Sequence, residues 1–162
     1  PQDLVADGPV QYLQRRFSAM EFPAGALMLE VTERGLVDIE AARPALQAAR
    51  QIGASIALDD FGTGYSSLSM LESIDIDTLK IDRIFIASIG AQAAISPVTT
   101  HIIEMAHTLK LALIAEGVET QDQVDFLIAR GVRQAQGWKF ARAMPLVELL
   151  AGLRAAPPSH PQ

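Results

Sequence analysis

The chain has 162 residues, a net charge of −6 and no cysteine. Hydrophobic residues make up 49% of it, enough for one domain with a real core and unlike the composition of a disordered chain. The lack of cysteine excludes a disulfide scaffold and zinc–thiolate sites, no Lys/Arg cluster marks a nucleic-acid-tracking face, and no apolar run reaches the length of a membrane span.

Residues 9–21 read as a helix with no strand before it. Residues 27–31, Leu-Met-Leu-Glu-Val, carry an apolar strand signal that contains Glu30. Over 38–52, Ile39, Ala42, Leu46, Ala49 and Ile52 recur at helical spacing, and Gly53 is the expected stop. A strand follows at 55–59, a short helix at 66–74 and a short strand at 78–82. Residues 97–109 form a helix with Ile102, Ile103, Met105, Ala106 and Leu109 on its apolar face, then comes a strand at 111–115. Thr120 caps a helix over 121–130, with Gln123 in capping-box position, and Gly131 ends it. A strand at 132–136 and a helix at 145–153 complete the series. Residues 155–162 are a Pro-rich tail, so the domain is expected to run over 1–154.

Near-continuous apolar strands alternating with helices predict an α/β fold with a parallel sheet covered by helices. Five strands are visible. A closed (β/α)8 TIM-type barrel has eight, in about 250 residues, so the chain reads as an incomplete barrel of about five strand–helix units. The alternative is an open doubly wound sheet, which no Gly-rich dinucleotide fingerprint supports.

The informative residues interrupt the strands near their C-terminal ends: Glu30, then Asp59-Asp60, then Lys80, Glu116 and Gln136. In a parallel barrel these ends converge on the face where active sites lie. Adjacent side chains on a strand point to opposite faces, so Asp59 and Asp60 share one centre only where the strand is ending. Buried charges need partners. Several carboxylates and one lysine around a mouth point to oxygen-ligated divalent cations with a basic group nearby. Taken singly, each residue has a plainer reading: an Asp-Gly turn, a helix cap, a solvated lysine, or first-turn carboxylates at Glu33 and Glu119. His101 and His107 read as structural, and Trp138, Phe140 and Met144 as core or pocket lining.

The ordered series Leu29-Glu30-Val31-Thr32-Glu33, Asp59-Asp60-Phe61-Gly62-Thr63-Gly64-Tyr65-Ser66-Ser67-Leu68, Leu79-Lys80-Ile81-Asp82, Ala115-Glu116-Gly117-Val118-Glu119-Thr120 and Gln136-Gly137-Trp138 resembles the motifs of EAL domains, bacterial phosphodiesterases of the second messenger cyclic di-GMP. The resemblance covers roughly residues 1–150. It implies a barrel that hydrolyses cyclic di-GMP to linear pGpG with two Mg²⁺ or Mn²⁺ ions. By motif, Glu30, Asp59, Asp60 and Glu116 are metal ligands, with Asp59 the bridge. Lys80 touches the nucleophilic water or steadies the metal cluster, and its pKa is expected to be lowered by nearby cations. Glu119 supports the site from behind and Gln136 lies near substrate. Glu33 anchors the loop of Phe61, Gly62, Thr63 and Gly64, and that loop with the following helix is expected to form a homodimer. A non-catalytic cyclic di-GMP receptor is the alternative, and a third reading is a metal-dependent barrel enzyme acting on another small phosphate or sugar.

Two departures matter. The Glu-Ala-Leu tripeptide and an Asn ligand of the family are absent, so the 162-residue chain alone is expected to be inactive and poorly stable. Ala143 stands where many members carry proline, a variant of the subgroup with membrane-bound sensors. The expected location is therefore cytoplasmic, with a parent protein tethered to the inner membrane.

Overall fold

The computed structural model describes residues 23, 25–36, 38–62, 71, 74–90 and 97–155. The expected helix at 9–21, Thr63, Gly64, most of the expected helix at 66–74 and the tail beyond 155 lie outside the described residues.

Five strands form one parallel sheet in sequence order: β1 (Met28–Thr32), β2 (Ser55–Phe61), β3 (Thr78–Ile81), β4 (Ala112–Ala115) and β5 (Gln134–Ala135). The helices are α1 (Ile39–Gln51), α2 (Arg83–Ile86), α3 (Pro97–Thr108), α4 (Gln121–Ala129) and α5 (Leu146–Ala155), with a 3-10 turn at Glu33–Leu36 after β1. The alternation of parallel strands and helices is as expected. The sheet is open, with β1 and β5 as its edges. Among the described residues no helix is long and apolar enough to cross a membrane.

Local chemistry sets the element ends. Asp38 caps α1, its carboxylate accepting from the Ala41 N–H at 3.0 Å. Gly53 follows the helix at φ +80°, a conformation glycine adopts without Cβ strain. The capping box of α4 is present as predicted, with Thr120 accepting from the Gln123 N–H. Gln123 does more than close it. Its buried side chain also donates from Nε2 to the Ile86 carbonyl at 3.1 Å, tying α4 to α2. His107 is structural as expected, its Nε2 lying 2.9 Å from the Arg130 carbonyl oxygen.

The register divides the sheet into two faces. Leu29, Val31, Ile56, Leu58, Leu79, Ile81, Leu113 and Ala115 project to one face and pack in or against the core with Ile102, Ile103, Ala106, Phe126 and Leu127 from the helices. Alternation sends the other set to the opposite face. Glu30 pairs with Ala57, Ala57 with Thr78, Lys80 with Ile114, and Ile114 with Gln134. One step of two residues from these pairs reaches Asp59, Glu116 and Gln136. The sequence of register pairs therefore places all five strand-end polar groups on one face.

Most element ends differ from the expected ones by a residue or two, β5 shrinks to Gln134–Ala135, and three further differences bear on the site and its surroundings. β2 runs on through both aspartates to Phe61, and its pairing with β3 is irregular between Leu58 and Phe61. β3 stops at Ile81, because Asp82 turns outward to cap α2, accepting from the Ile84 N–H at 2.8 Å. α5 starts at Leu146, and Leu146, Val147, Leu149, Leu150 and Leu153 on it are exposed.

Candidate active site

Lys80 is the centre. Its side chain is only 4% exposed, and Nζ lies 2.6 Å from Glu116 Oε1, 2.9 Å from Glu30 Oε2 and 3.1 Å from Asp59 Oδ2. Three strands that are far apart in sequence thus deliver carboxylates to one ammonium on a fourth. Gln136, at the end of β5, donates from Nε2 to Glu116 Oε1 at 2.7 Å and closes the row.

Burial alone would push the Lys80 pKa down. Hydrogen bonds to Glu116, Glu30 and Asp59, together with the Glu116 charge, outweigh that and hold it above the ordinary lysine value. The expected lowering concerns bound cations, and this value belongs to the site without them. The groups that face Nζ are carboxylates, so the charged form is favoured.

Asp60 sits beside this cluster at an irregular point of the strand. Its φ is +58°, which breaks strict alternation at the bulge, and its N–H donates to Asp59 Oδ1 at 2.9 Å. Asp tolerates the left-handed region better than most residues. Asp60 is exposed, so the two neighbouring aspartates occupy different environments.

Glu119 does not join the ion pairs of Lys80 among the described residues. It is exposed, and its N–H donates to Gln123 Oε1 at 2.7 Å, just before the cap of α4. Glu33 is buried at 5% exposure, and neither carboxylate oxygen has a hydrogen-bond partner among the described residues. Phe61 is in the core. Gly62 has φ +86°, and a Cβ there would lie 3.0 Å from Phe85 Cζ, so glycine is required at the exit of β2.

A cleft of about 630 Å³ opens beside Glu116 and Gln136 and is also lined by Asp82, Arg83 and Trp138. This is the size range of small-molecule sites. A smaller hollow of about 100 Å³ between α1 and Asp75 carries none of the strand-end carboxylates. Asp82, expected at the end of a strand, and Arg83 are cleft residues that the strand pattern does not reveal. The signal for both was a capping Asp followed by Ile84, Phe85 and Ile86.

Among the described residues no three Asp, Glu or His side chains form a ready-made metal cage; the carboxylates close on Lys80 instead. The donor chemistry nonetheless fits hard cations. Three carboxylates face one ammonium, and carboxylate oxygens are the ligands that magnesium and manganese prefer.

The fold and rim define an open segment of a TIM-type barrel with an acidic cluster at the strand ends. The sequence profile of the EAL domain matches residues 1–143, and the chain belongs to that family. It is 46% identical over 124 residues to the probable cyclic di-GMP phosphodiesterase PdeB of Escherichia coli K12, covering 76% of this chain and 23% of that protein. It is 45% identical over 130 residues to the cyclic di-GMP phosphodiesterase NbdA of Pseudomonas aeruginosa, covering 80% of this chain and 17% of that protein. The solved EAL domain of Mycobacterium smegmatis DcpA superimposes with a TM-score of 0.85 at 39% identity, over 93% of this chain and 68% of that one. The PaMucR phosphodiesterase in complex with c-di-GMP gives 0.80 at 34% identity, over 90% of this chain and 60% of that one. The chain spans less than a quarter of the length of PdeB and of NbdA.

Proposed function

We propose that this chain carries the strand-end half of a cyclic di-GMP phosphodiesterase site, which hydrolyses one phosphodiester to give linear pGpG. The reading rests on a single observation: Glu30, Asp59 and Glu116 meet within hydrogen-bonding distance of Lys80 Nζ. Support comes from PdeB, named a probable cyclic di-GMP phosphodiesterase, NbdA, named a cyclic di-GMP phosphodiesterase, and PaMucR, solved in complex with c-di-GMP.

Glu30, Asp59, Asp60 and Glu116 would hold two divalent cations, Mg²⁺ or Mn²⁺. When bound, such a pair lowers the pKa of water and stabilises charge on phosphoryl oxygens. The protein's own groups supply the rest. Lys80, within hydrogen-bonding distance of three of these carboxylates, would donate hydrogen bonds or handle a proton there. It orients a water or offsets charge on the phosphate. Gln136 fixes the direction of the Glu116 carboxylate and leaves the cleft side open to substrate. The Glu119 backbone N–H ties the loop after β4 to Gln123, and its exposed carboxylate would support the site from behind.

Glu33 is a buried acceptor that needs donors. The loop that Gly62 opens is the segment it would hold, and this loop and the following helix would carry a homodimer contact coupled to activity.

Among the described residues the named ligands come from three strands of an open sheet, β1, β2 and β4, so turnover is expected of a closed barrel, and residues 1–162 alone are expected to be inactive. Chromatographic assay of pGpG release, with and without Mg²⁺ or Mn²⁺, tests this in the chain and in the chain extended to a closed barrel. Cation-dependent release by the closed barrel, lost in Asp59→Asn, is the expected result. Tight binding of cyclic di-GMP with no turnover in Mg²⁺ or Mn²⁺ would favour the receptor reading instead. No binding in Ca²⁺ would favour another phosphate or sugar substrate.

A further inference from the structure

Lys80 is carried by β3, a strand of only 4 residues. On the β2 side its regular pairing covers two positions, Ala57 with Thr78 and Leu58 with Leu79, before the register shifts between Leu58 and Phe61. The shift falls where Asp59 has to meet Lys80. So short a ladder is a weak hold on register, and a slip of one residue would turn Lys80 toward the apolar face.

Asp77, directly before β3, supplies a further hold. Its N–H donates to the Ile56 carbonyl at 2.9 Å, and its Oδ2 accepts from the Ile56 N–H at 2.7 Å. One residue thus takes both main-chain groups of Ile56, the second through its side chain. Its own carbonyl accepts from the Ala112 N–H at 2.9 Å, at the start of β4. Arg50, near the end of α1, aims the carboxylate: Nη1 lies 3.3 Å from Oδ1 and Nη2 lies 3.2 Å from Oδ2. The same guanidinium sits 3.1 Å from the Asp75 carboxylate through Nε and donates to the Asp75 carbonyl. A planar fork with these partners is fixed in orientation. The Arg50 and Asp77 side chains are 30% and 40% exposed, and a pair so exposed adds little stability. Its consequence is geometric.

We propose that Asp77, aimed by Arg50, is a positioning residue: it fixes the register at which β3 presents Lys80 to Asp59 on β2 and to Glu116 after β4. The inference rests on Lys80 as the centre of the proposed site, and not on the substrate.

The readout is the Lys80 ammonium itself, in the 162-residue chain without nucleotide or cation. Its side chain is buried and held by three carboxylates, so its protons should exchange slowly with water and give a proton–nitrogen correlation signal that Lys80→Met removes. Asp77→Ala should speed that exchange about tenfold, the scale of one lost hydrogen bond, in a chain still folded by circular dichroism. Asp77→Asn keeps an oxygen for the Ile56 N–H and should restore most of the protection. Asp38→Ala removes the cap of the same helix that carries Arg50 and should leave the ammonium unchanged. If Asp77→Ala does not fold, Arg50→Met decides, with exchange expected to rise about threefold. Unchanged exchange in folded Asp77→Ala, or in Arg50→Met where that variant decides, overturns the positioning role and leaves the Lys80 site standing. Equal acceleration by Asp38→Ala overturns it too, since lost stability then accounts for the effect. A parent chain with dispersed amide signals but no Lys80 signal overturns the site and the positioning role together.

Discussion

Lys80 Nζ and Glu116 Oε1 stand 2.6 Å apart although 36 positions separate them, and the same oxygen accepts from Gln136. The contact is possible because β3 and β4 are parallel neighbours in register, Lys80 opposite Ile114. The ammonium is what allows three carboxylates to share one rim. Lys80→Met should therefore lower stability in cation-free buffer by about 2–3 kcal/mol, less than a fully buried pair would lose because Glu30 is half-exposed. Addition of Mn²⁺ should restore part of it. Urea denaturation with chelator and with Mn²⁺ measures both, and a variant as stable as the parent in chelator would contradict the role given to the ammonium.

The raised Lys80 pKa fixes the sign of a pH effect. Its folded value lies above its unfolded one, so the stabilisation is fully present below the ordinary lysine range and is lost only as pH rises beyond it. Stability measured from neutral pH to mildly alkaline pH should show no loss that Lys80→Met abolishes.

Gly137→Ala places a methyl group where the Val118 carbonyl oxygen and amide nitrogen already lie, at 2.2 and 2.3 Å. Backbone cannot yield as a flexible side chain would. We expect a cost of about 2–4 kcal/mol and loss of cyclic di-GMP binding, read by thermal unfolding and calorimetry. Gly25→Ala is the control for an open position, since nothing lies within 4 Å of its Cβ, though its φ of +79° still adds strain of about 1 kcal/mol.

Gln123 satisfies the N–H groups of Glu119 and Thr120 and the carbonyl of Ile86 from one buried amide. Gln123→Leu leaves all three without that partner and should cost about 2–3 kcal/mol. Gln123→Glu keeps the acceptor side but sets a buried carboxylate oxygen against the Ile86 carbonyl, and should cost about 1–3 kcal/mol. Both variants lose the donor to Ile86, so equal stability of the two would show that the bonds from the Glu119 and Thr120 N–H groups contribute nothing.

Glu33→Gln removes a buried charge and supplies a donor. Stability should rise or stay level, while turnover in a closed barrel falls if the loop that begins at Phe61 depends on the carboxylate. Unchanged turnover together with unchanged oligomeric state would remove Glu33 from the coupling.

Most of the sheet was legible in the sequence, because fully buried strands such as Ile56-Ala57-Leu58 are apolar on both faces and glycines end their helices. The polar interruptions were legible as a set for the same reason: Glu30, Asp59, Lys80 and Glu116 stand out against apolar neighbours. What the residues did not disclose was the partner of each group. The raised Lys80 pKa depends on register, which a sequence does not display. The left-handed backbone at Asp60 arises where β2 and β3 lose register, and α2 is a single turn, too short to leave a periodic signal. Glu119 and Glu116 lie in one motif, yet Glu116 directly follows β4 while Glu119 directly precedes the Thr120 cap of α4, and of the two Glu116 is the one paired with Lys80 among the described residues.

Anomalous diffraction from crystals grown with Mn²⁺ tests the central claim most directly. Strong peaks bonded to oxygens of Glu30, Asp59 and Glu116, with Lys80 Nζ displaced toward solvent or substrate, are the expected result. Manganese bound elsewhere, with the three carboxylates still closed on Lys80, would contradict it.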